Sequence, residues 1–238
     1  MSSFTLAWHF LIFGVLPYVV IAVLILGSLA RFVLAPFSWK SQSSEILDKK
    51  DIFWGANLFH IGVIFLFCGH CFGLFTPTEW LNAAGLTPRL HQMMEIICGG
   101  LSAIVAITGL IILTWRRLTN ERVRAASRPS DFWVLFLLLA VIILGIGCVV
   151  NSYLYDKSGA TIILLGGWVR GLFSFDYQAW QNILLVPDWQ KAHIFVGLII
   201  FLIVPFTRLV HIWSGYLSVF YLIRPHQIMR ANNGKPMK

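Results

Sequence analysis

NLFHIGVIFLFCGHCFGLF, residues 57–75, runs for nineteen residues without a Lys, Arg, Asp or Glu. Only Asn57 and two histidines interrupt its apolar character, and the residues from Ile52 extend it backwards. A helix needs about 20 mostly apolar residues to cross the hydrocarbon of a bilayer. Irregular backbone cannot face lipid, so the segment has to be a helix if it crosses. Residues 52–75 therefore read as a membrane span with two imidazoles inside it.

The rest of the chain has the same character. Four further segments are long and apolar enough to cross: roughly 9–31, 92–115, 131–150 and 192–213. The last stays apolar to Ile223. Across all 238 residues 58% are hydrophobic and 12% charged, with a mean hydropathy of +0.78. Soluble domains carry about 25% charged residues, so a water-soluble fold could not cover this much apolar surface. The expected fold is all-α, an integral membrane bundle of five helices over residues 1–223, followed by a tail at 224–238. Gly159–Phe173 is a further apolar run, too short and too rich in glycine for a span, and reads as an interfacial or re-entrant helix. No positively charged segment precedes the first apolar run, so it reads as a span and not as a cleaved signal.

The net charge of +8 is distributed by loop. Fourteen of the 18 Lys and Arg lie in the first loop, the third loop and the C-terminal end; the second and fourth loops hold four. Basic residues favour cytoplasmic loops. The N-terminus is therefore expected outside and the C-terminus in the cytoplasm, the parity that five spans require. This pattern reads as topology, not as a nucleic-acid surface. Trp80, Trp168, Trp180 and Trp189 would form an outer aromatic belt, and Trp39, Trp115 and Trp213 an inner one. Cys68, Cys71, Cys98 and Cys148 all fall inside apolar segments, where a disulfide framework is not expected, and read as small packing residues. The CxxC at Cys68 and Cys71 is followed by Phe72, not by the His of a haem c attachment site.

Four of the seven histidines lie at membrane depth: His60 and His70 on the second span, His193 and His211 on the fifth. An ionisable residue within a span is a functional hypothesis by default. Three crossings separate the two spans, so they are antiparallel. His60 and His211 then lie near the inner side, His70 and His193 further out. Two imidazoles facing across a gap at each of two depths suit axial ligation of two haem irons. On a continuous helix His193 and His211 are about five whole turns and about 27 Å apart, against about 15 Å for His60 and His70. Crossing angles and tilted porphyrins have to absorb that difference. A single zinc ion needs its ligands within about 2 Å, which histidines so spread cannot supply. Gly55, Gly62, Gly69, Gly73 and Gly197 would make room for the macrocycles, with helix–helix packing as the other reading.

NLFHIGVIFLFCGHCFGLFTP (57–77) and PFTRLVHIWSGYL (205–217), with SWKSQSSEILDKK (38–50), RRLTNERVRA (116–125) and YLIRPHQ (221–227), resemble the gamma subunit of respiratory nitrate reductase. The resemblance implies a dihaem cytochrome b of the cytoplasmic (inner) membrane that oxidises quinol near the outer face. It implies electrons passing to an iron–sulfur beta subunit and a molybdenum-containing alpha subunit that reduces nitrate. It carries the haem ligands onto His70 with His193 (outer) and His60 with His211 (inner). The quinol site would lie at His91 and Gly69. Arg117, Arg208 and Ser43 would meet the propionates of the inner haem, and His226 the partner subunit. His9 is given no role. Two alternatives stay open: the haem b anchor of a related heterodisulfide- or sulfite-reductase-type complex, and a non-enzymatic membrane anchor.

Overall fold

A computed structural model describes residues 3–35, 38 and 49–213. The expectations for Ser43, Trp39, His226 and the tail after 223 fall outside the described residues. Five helices are long and apolar enough to cross a membrane: Ser3–Leu34, Ile52–Phe75, Pro88–Thr119, Pro129–Tyr155 and Asp188–Phe206. Among the described residues there is no strand. Large apolar side chains such as Phe65, Phe67, Leu101 and Phe136 stand exposed on these helices, as a lipid solvent demands and water would not tolerate.

Local chemistry sets the span ends. Pro88 and Pro129 occupy the first turns of the third and fourth spans, where a missing N–H costs nothing. Thr87 Oγ1 accepts from Leu90 N at 3.3 Å, and Asp131 Oδ2 accepts from Arg128 N at 2.9 Å. The third span begins as Pro88–Met94, passes through a wider π turn at Glu95–Gly99, and continues as Gly100–Thr119.

The second and third spans make the closest crossing. A Cβ on Gly62 would lie 2.5 Å from the Ala106 backbone nitrogen, and one on Gly109 would collide with Phe59 N and lie 2.7 Å from Gly55 O. Without side chains at these points the two backbones touch, the usual device for helix association in lipid. Ala103, Ala106, Leu110 and Ile142 form the buried cluster where the fourth span joins them.

The run after Gly159 forms a helix, Ala160–Phe173, of 14 residues. At about 1.5 Å per residue it is about 21 Å long, short of a bilayer's apolar thickness. Asp156 organises its start by accepting from Ser158 N, Gly159 N and Thr161 N. Burial by itself would raise the Asp156 carboxyl, but the bonds from Thr161 and Ser158 outweigh it and hold the group well below the usual range. The helix is tied to its neighbours through polar side chains. Trp168 Nε1 donates to Phe13 O at 2.8 Å, and Tyr18 Oη to Leu172 O at 3.0 Å. Arg170 donates to Leu74 O and Thr76 O, both at 3.1 Å, closing the end of the second span. Trp168 therefore sits in a core cluster with Phe13, Leu172 and Ile183, not in an interfacial belt. Trp80 and Trp115, by contrast, are exposed near span ends. All four cysteines are free, and Cys68 and Cys98 are exposed, which corrects their expected role as packing residues.

The fifth span departs most from expectation. Its α-helix ends at Ile203, and Val204–Phe206 and Arg208–Val210 are 3-10 turns joined through an extended Thr207. Pro205 removes one helical N–H and crowds the preceding turn. Arg31 of the first span serves two carbonyls of the broken stretch itself, donating to Pro205 O at 2.7 Å and Thr207 O at 2.6 Å. The five-turn relation between His193 and His211 thus does not hold, because the helix between them is broken.

Candidate functional site: two histidine pairs and the cavity beside one of them

The second span packs on the third, and the fifth packs on the first and fourth. The two histidine-bearing spans face each other without packing together. Their imidazoles meet in two pairs. His60 and His211 have ring centres 6.1 Å apart at an interplanar angle of 71°; His70 and His193 are 6.1 Å apart at 22°. The break after Ile203 explains how both pairs form although the spacings along a regular helix disagree.

Each ring is fixed by a backbone carbonyl. His60 Nδ1 lies 2.7 Å from Ala56 O, His70 Nδ1 2.7 Å from Leu66 O, and His211 Nδ1 2.7 Å from Arg208 O. His193 Nδ1 instead reaches across to Val141 O of the fourth span at 2.9 Å. A carbonyl only accepts, so Nδ1 is the protonated nitrogen in all four and Nε2 keeps its lone pair. This is how metal-binding histidines are commonly oriented. His9 makes the same bond to Thr5 O at 2.9 Å, but among the described residues no second imidazole faces it, so the pairing, not the bond, distinguishes the four.

A metal–imidazole bond of about 2 Å, plus roughly 1 Å from the ring centre to its nitrogen, places two trans imidazole centres about 6 Å apart. Both pairs have that spacing. Among the described residues no third His, Cys, Asp or Glu side chain joins either pair. Each is a two-ligand set that leaves the plane between the rings to something else. Cβ atoms on Gly69 and Gly197, beside His70 and His193, would find nothing within 4 Å. The space beside this pair is open on both spans, as a flat macrocycle requires. The five glycines expected to provide room thus divide. Gly69 and Gly197 border open space, Gly55 and Gly62 serve the packing against the third span, and Gly73 faces His91 and Glu95.

The family model for the nitrate reductase gamma subunit matches residues 9–232. The chain belongs to that family. The chain is 36% identical over 219 residues to the respiratory nitrate reductase 2 gamma chain of Escherichia coli (strain K12), covering 92% of this chain and 95% of that one. It is 35% identical over 221 residues to the respiratory nitrate reductase 1 gamma chain of the same organism, with 93% and 96% coverage. To the nitrate reductase gamma chain of Bacillus subtilis (strain 168) it is 35% identical over 224 residues, with 94% and 98% coverage. It is a multi-pass membrane subunit of an oxidoreductase complex, and a gamma chain implies other subunits.

At the end of the bundle that holds His70 and His193, His91 is buried on the first turn of the third span. It packs against Phe72 and lines a small cavity with Gly73, Thr76, Pro88, Ile162 and Arg170. At the opposite, basic end, Arg117 Nη1 lies 2.9 Å from Asp131 Oδ2, and Arg208 Nε lies 3.0 Å from Asp131 Oδ1. Both residues expected to meet propionates are thus gathered on one buried carboxylate beside His211. Asp131 was not anticipated, although an acid two residues after Pro129 at a span start is a recognisable helix-start signal. Glu95 was missed too, and its signal was plain: a carboxylate inside an apolar segment.

Proposed function

We propose that this chain is the dihaem cytochrome b subunit that takes electrons from quinol and delivers them to the nitrate-reducing partners of a respiratory complex. The observation that carries the reading is the pair of facing imidazole sets, each at a spacing of 6.1 Å and each anchored through Nδ1 to backbone carbonyls. Bound between them, two haem irons would supply one-electron carriage across the apolar layer. His70 and His193 would hold the outer haem and His60 and His211 the inner one.

The protein's own residues do the rest. The carbonyl bonds fix each ring's tautomer and direction. Arg117 and Arg208, held by Asp131, keep a surplus positive charge at the basic end, where the inner propionates would lie; Ser43 is assigned to the same group. The basic end faces the cytoplasm by the bias of Lys and Arg, and there an iron–sulfur beta subunit and a molybdenum-containing alpha subunit would dock, with the tail from 224 to 238 in contact. The complex would lie in the cytoplasmic membrane. At the outer end quinol would enter beside Gly69, and His91 would bind its hydroxyl and take up its proton. Protons released outside while negative charge moves inward add to the membrane potential, worth about 2.3 kcal/mol per charge per 100 mV.

The test is quinol-dependent nitrate reduction by membranes containing the assembled complex. His70→Ala should abolish it and remove one of the two dithionite-reducible b haems. His91→Ala should slow it with both haems retained. Unchanged quinol turnover in both variants would overturn the assignment.

A further inference from the structure

Beside two residues of the cavity at the outer end, His91 and Gly73, stands a carboxylate with no role in the proposed function. Glu95 lies one turn after His91, and its Oε1 is 3.7 Å from His91 Nε2. The carboxylate occupies the room Gly73 leaves: a Cβ there would collide with Glu95 Oε1 and lie 3.3 Å from His91 Nε2. Glu95 opens the π turn Glu95–Gly99. Such wider turns cost hydrogen-bond geometry and occur preferentially where a side chain has a task. His91 is 4% exposed, yet its Nε2 makes no hydrogen bond. A buried polar nitrogen left unpaired costs about 1–3 kcal/mol, so it marks a place where a partner belongs. Arg170, on the cavity's far wall, is spent on the carbonyls of Leu74 and Thr76.

We propose that Glu95 and His91 form a proton-accepting pair for the quinol hydroxyl, an inference that rests on the quinol-oxidising role proposed above. A quinol hydroxyl set against this pair donates its one proton to His91 Nε2 at about 2.8 Å, the ordinary length of such a hydrogen bond, and Glu95 Oε1, 3.7 Å from that nitrogen, stands ready to take the proton next. The haem that His70 and His193 would hold would supply the electron acceptor, and with each electron given up an O–H bond of the quinol breaks. Its proton forms an N–H bond on His91 Nε2, and the imidazolium is stabilised by the adjacent carboxylate. The proton then passes to Glu95 Oε1 and from there to water at the cavity mouth, which restores the neutral imidazole for the second proton. Two electrons and two protons leave, and quinone remains. Gly73 is the residue that admits the carboxylate.

The experiment uses the whole complex with menadiol as donor and nitrate as acceptor, with haem content measured alongside. Glu95→Gln keeps the shape and removes the charge. It should lower kcat at least about tenfold, the low side of what a positioned proton-transfer group contributes. KM for menadiol should stay within about twofold, because His91 still accepts from the hydroxyl. Glu95→Asp, which restores a carboxylate, should recover most of kcat. Both haems should remain reducible by dithionite in both variants, which separates this effect from misfolding. Full kcat in Glu95→Gln, or a loss that Glu95→Asp does not repair while both haems persist, overturns the pair. Failure of the unsubstituted complex to oxidise menadiol would instead overturn the quinol reading itself.

Discussion

His193 differs from the other three paired histidines in what holds it. His60, His70 and His211 bond to carbonyls of their own chain segment three or four residues back; His193 bonds to Val141 on the fourth span. It reaches that carbonyl because Gly145 offers no side chain, and a Cβ there would lie 3.1 Å from the His193 ring. Gly145→Val should therefore push the ring away from both Val141 and His70. The expected outcome is loss of the outer haem with the inner one kept, read as half the wild-type haem in a reduced-minus-oxidised spectrum. Full retention of both haems would show that the His193 ring does not depend on this contact. That His193 mattered was legible in the sequence, because an imidazole inside an apolar run is conspicuous. Its dependence on Gly145 was not, because nothing along the chain ties residue 145 to residue 193. Glu95 was legible in the same way as the histidines, whereas its proximity to His91 depends on a π turn that carries no simple sequence mark.

At the scale of elements, the five spans were readable because apolar length is a one-dimensional property. Helix 160–173 was readable for the same reason, its length falling short. The break in the fifth span was not. Pro205 hinted at it, yet proline is tolerated in membrane helices when neighbours satisfy the freed carbonyls. Here the broken stretch itself is held by Arg31, distant in sequence, whose guanidinium donates to Pro205 O and Thr207 O. It fixes the segment that carries His211. Arg31→Met should leave those carbonyls short of partners, at about 1–3 kcal/mol each. The inner haem should be lost from this variant at a lower temperature than the outer one, followed by absorbance during heating in detergent. Simultaneous loss of both would mean that Arg31 supports the bundle as a whole and not the His211 segment.

For the molecule as a whole, the second and third spans form one tightly crossed body through Gly62 and Gly109. The fifth span is carried by the first and fourth. Between these two bodies lie the histidine pairs, so their spacing is set by the whole bundle and not by any one helix. This is why separations along a regular helix gave an apparent mismatch of about 12 Å, while the folded chain brings both pairs to 6.1 Å. Family membership establishes a membrane subunit of nitrate reductase; the two-haem reading is what the facing pairs add to it. Its most direct test is the haem content of the purified, assembled subunit, measured as the pyridine haemochrome per polypeptide. The account predicts two haem b per chain. A value of one, or a colourless preparation of correctly assembled protein, would contradict it.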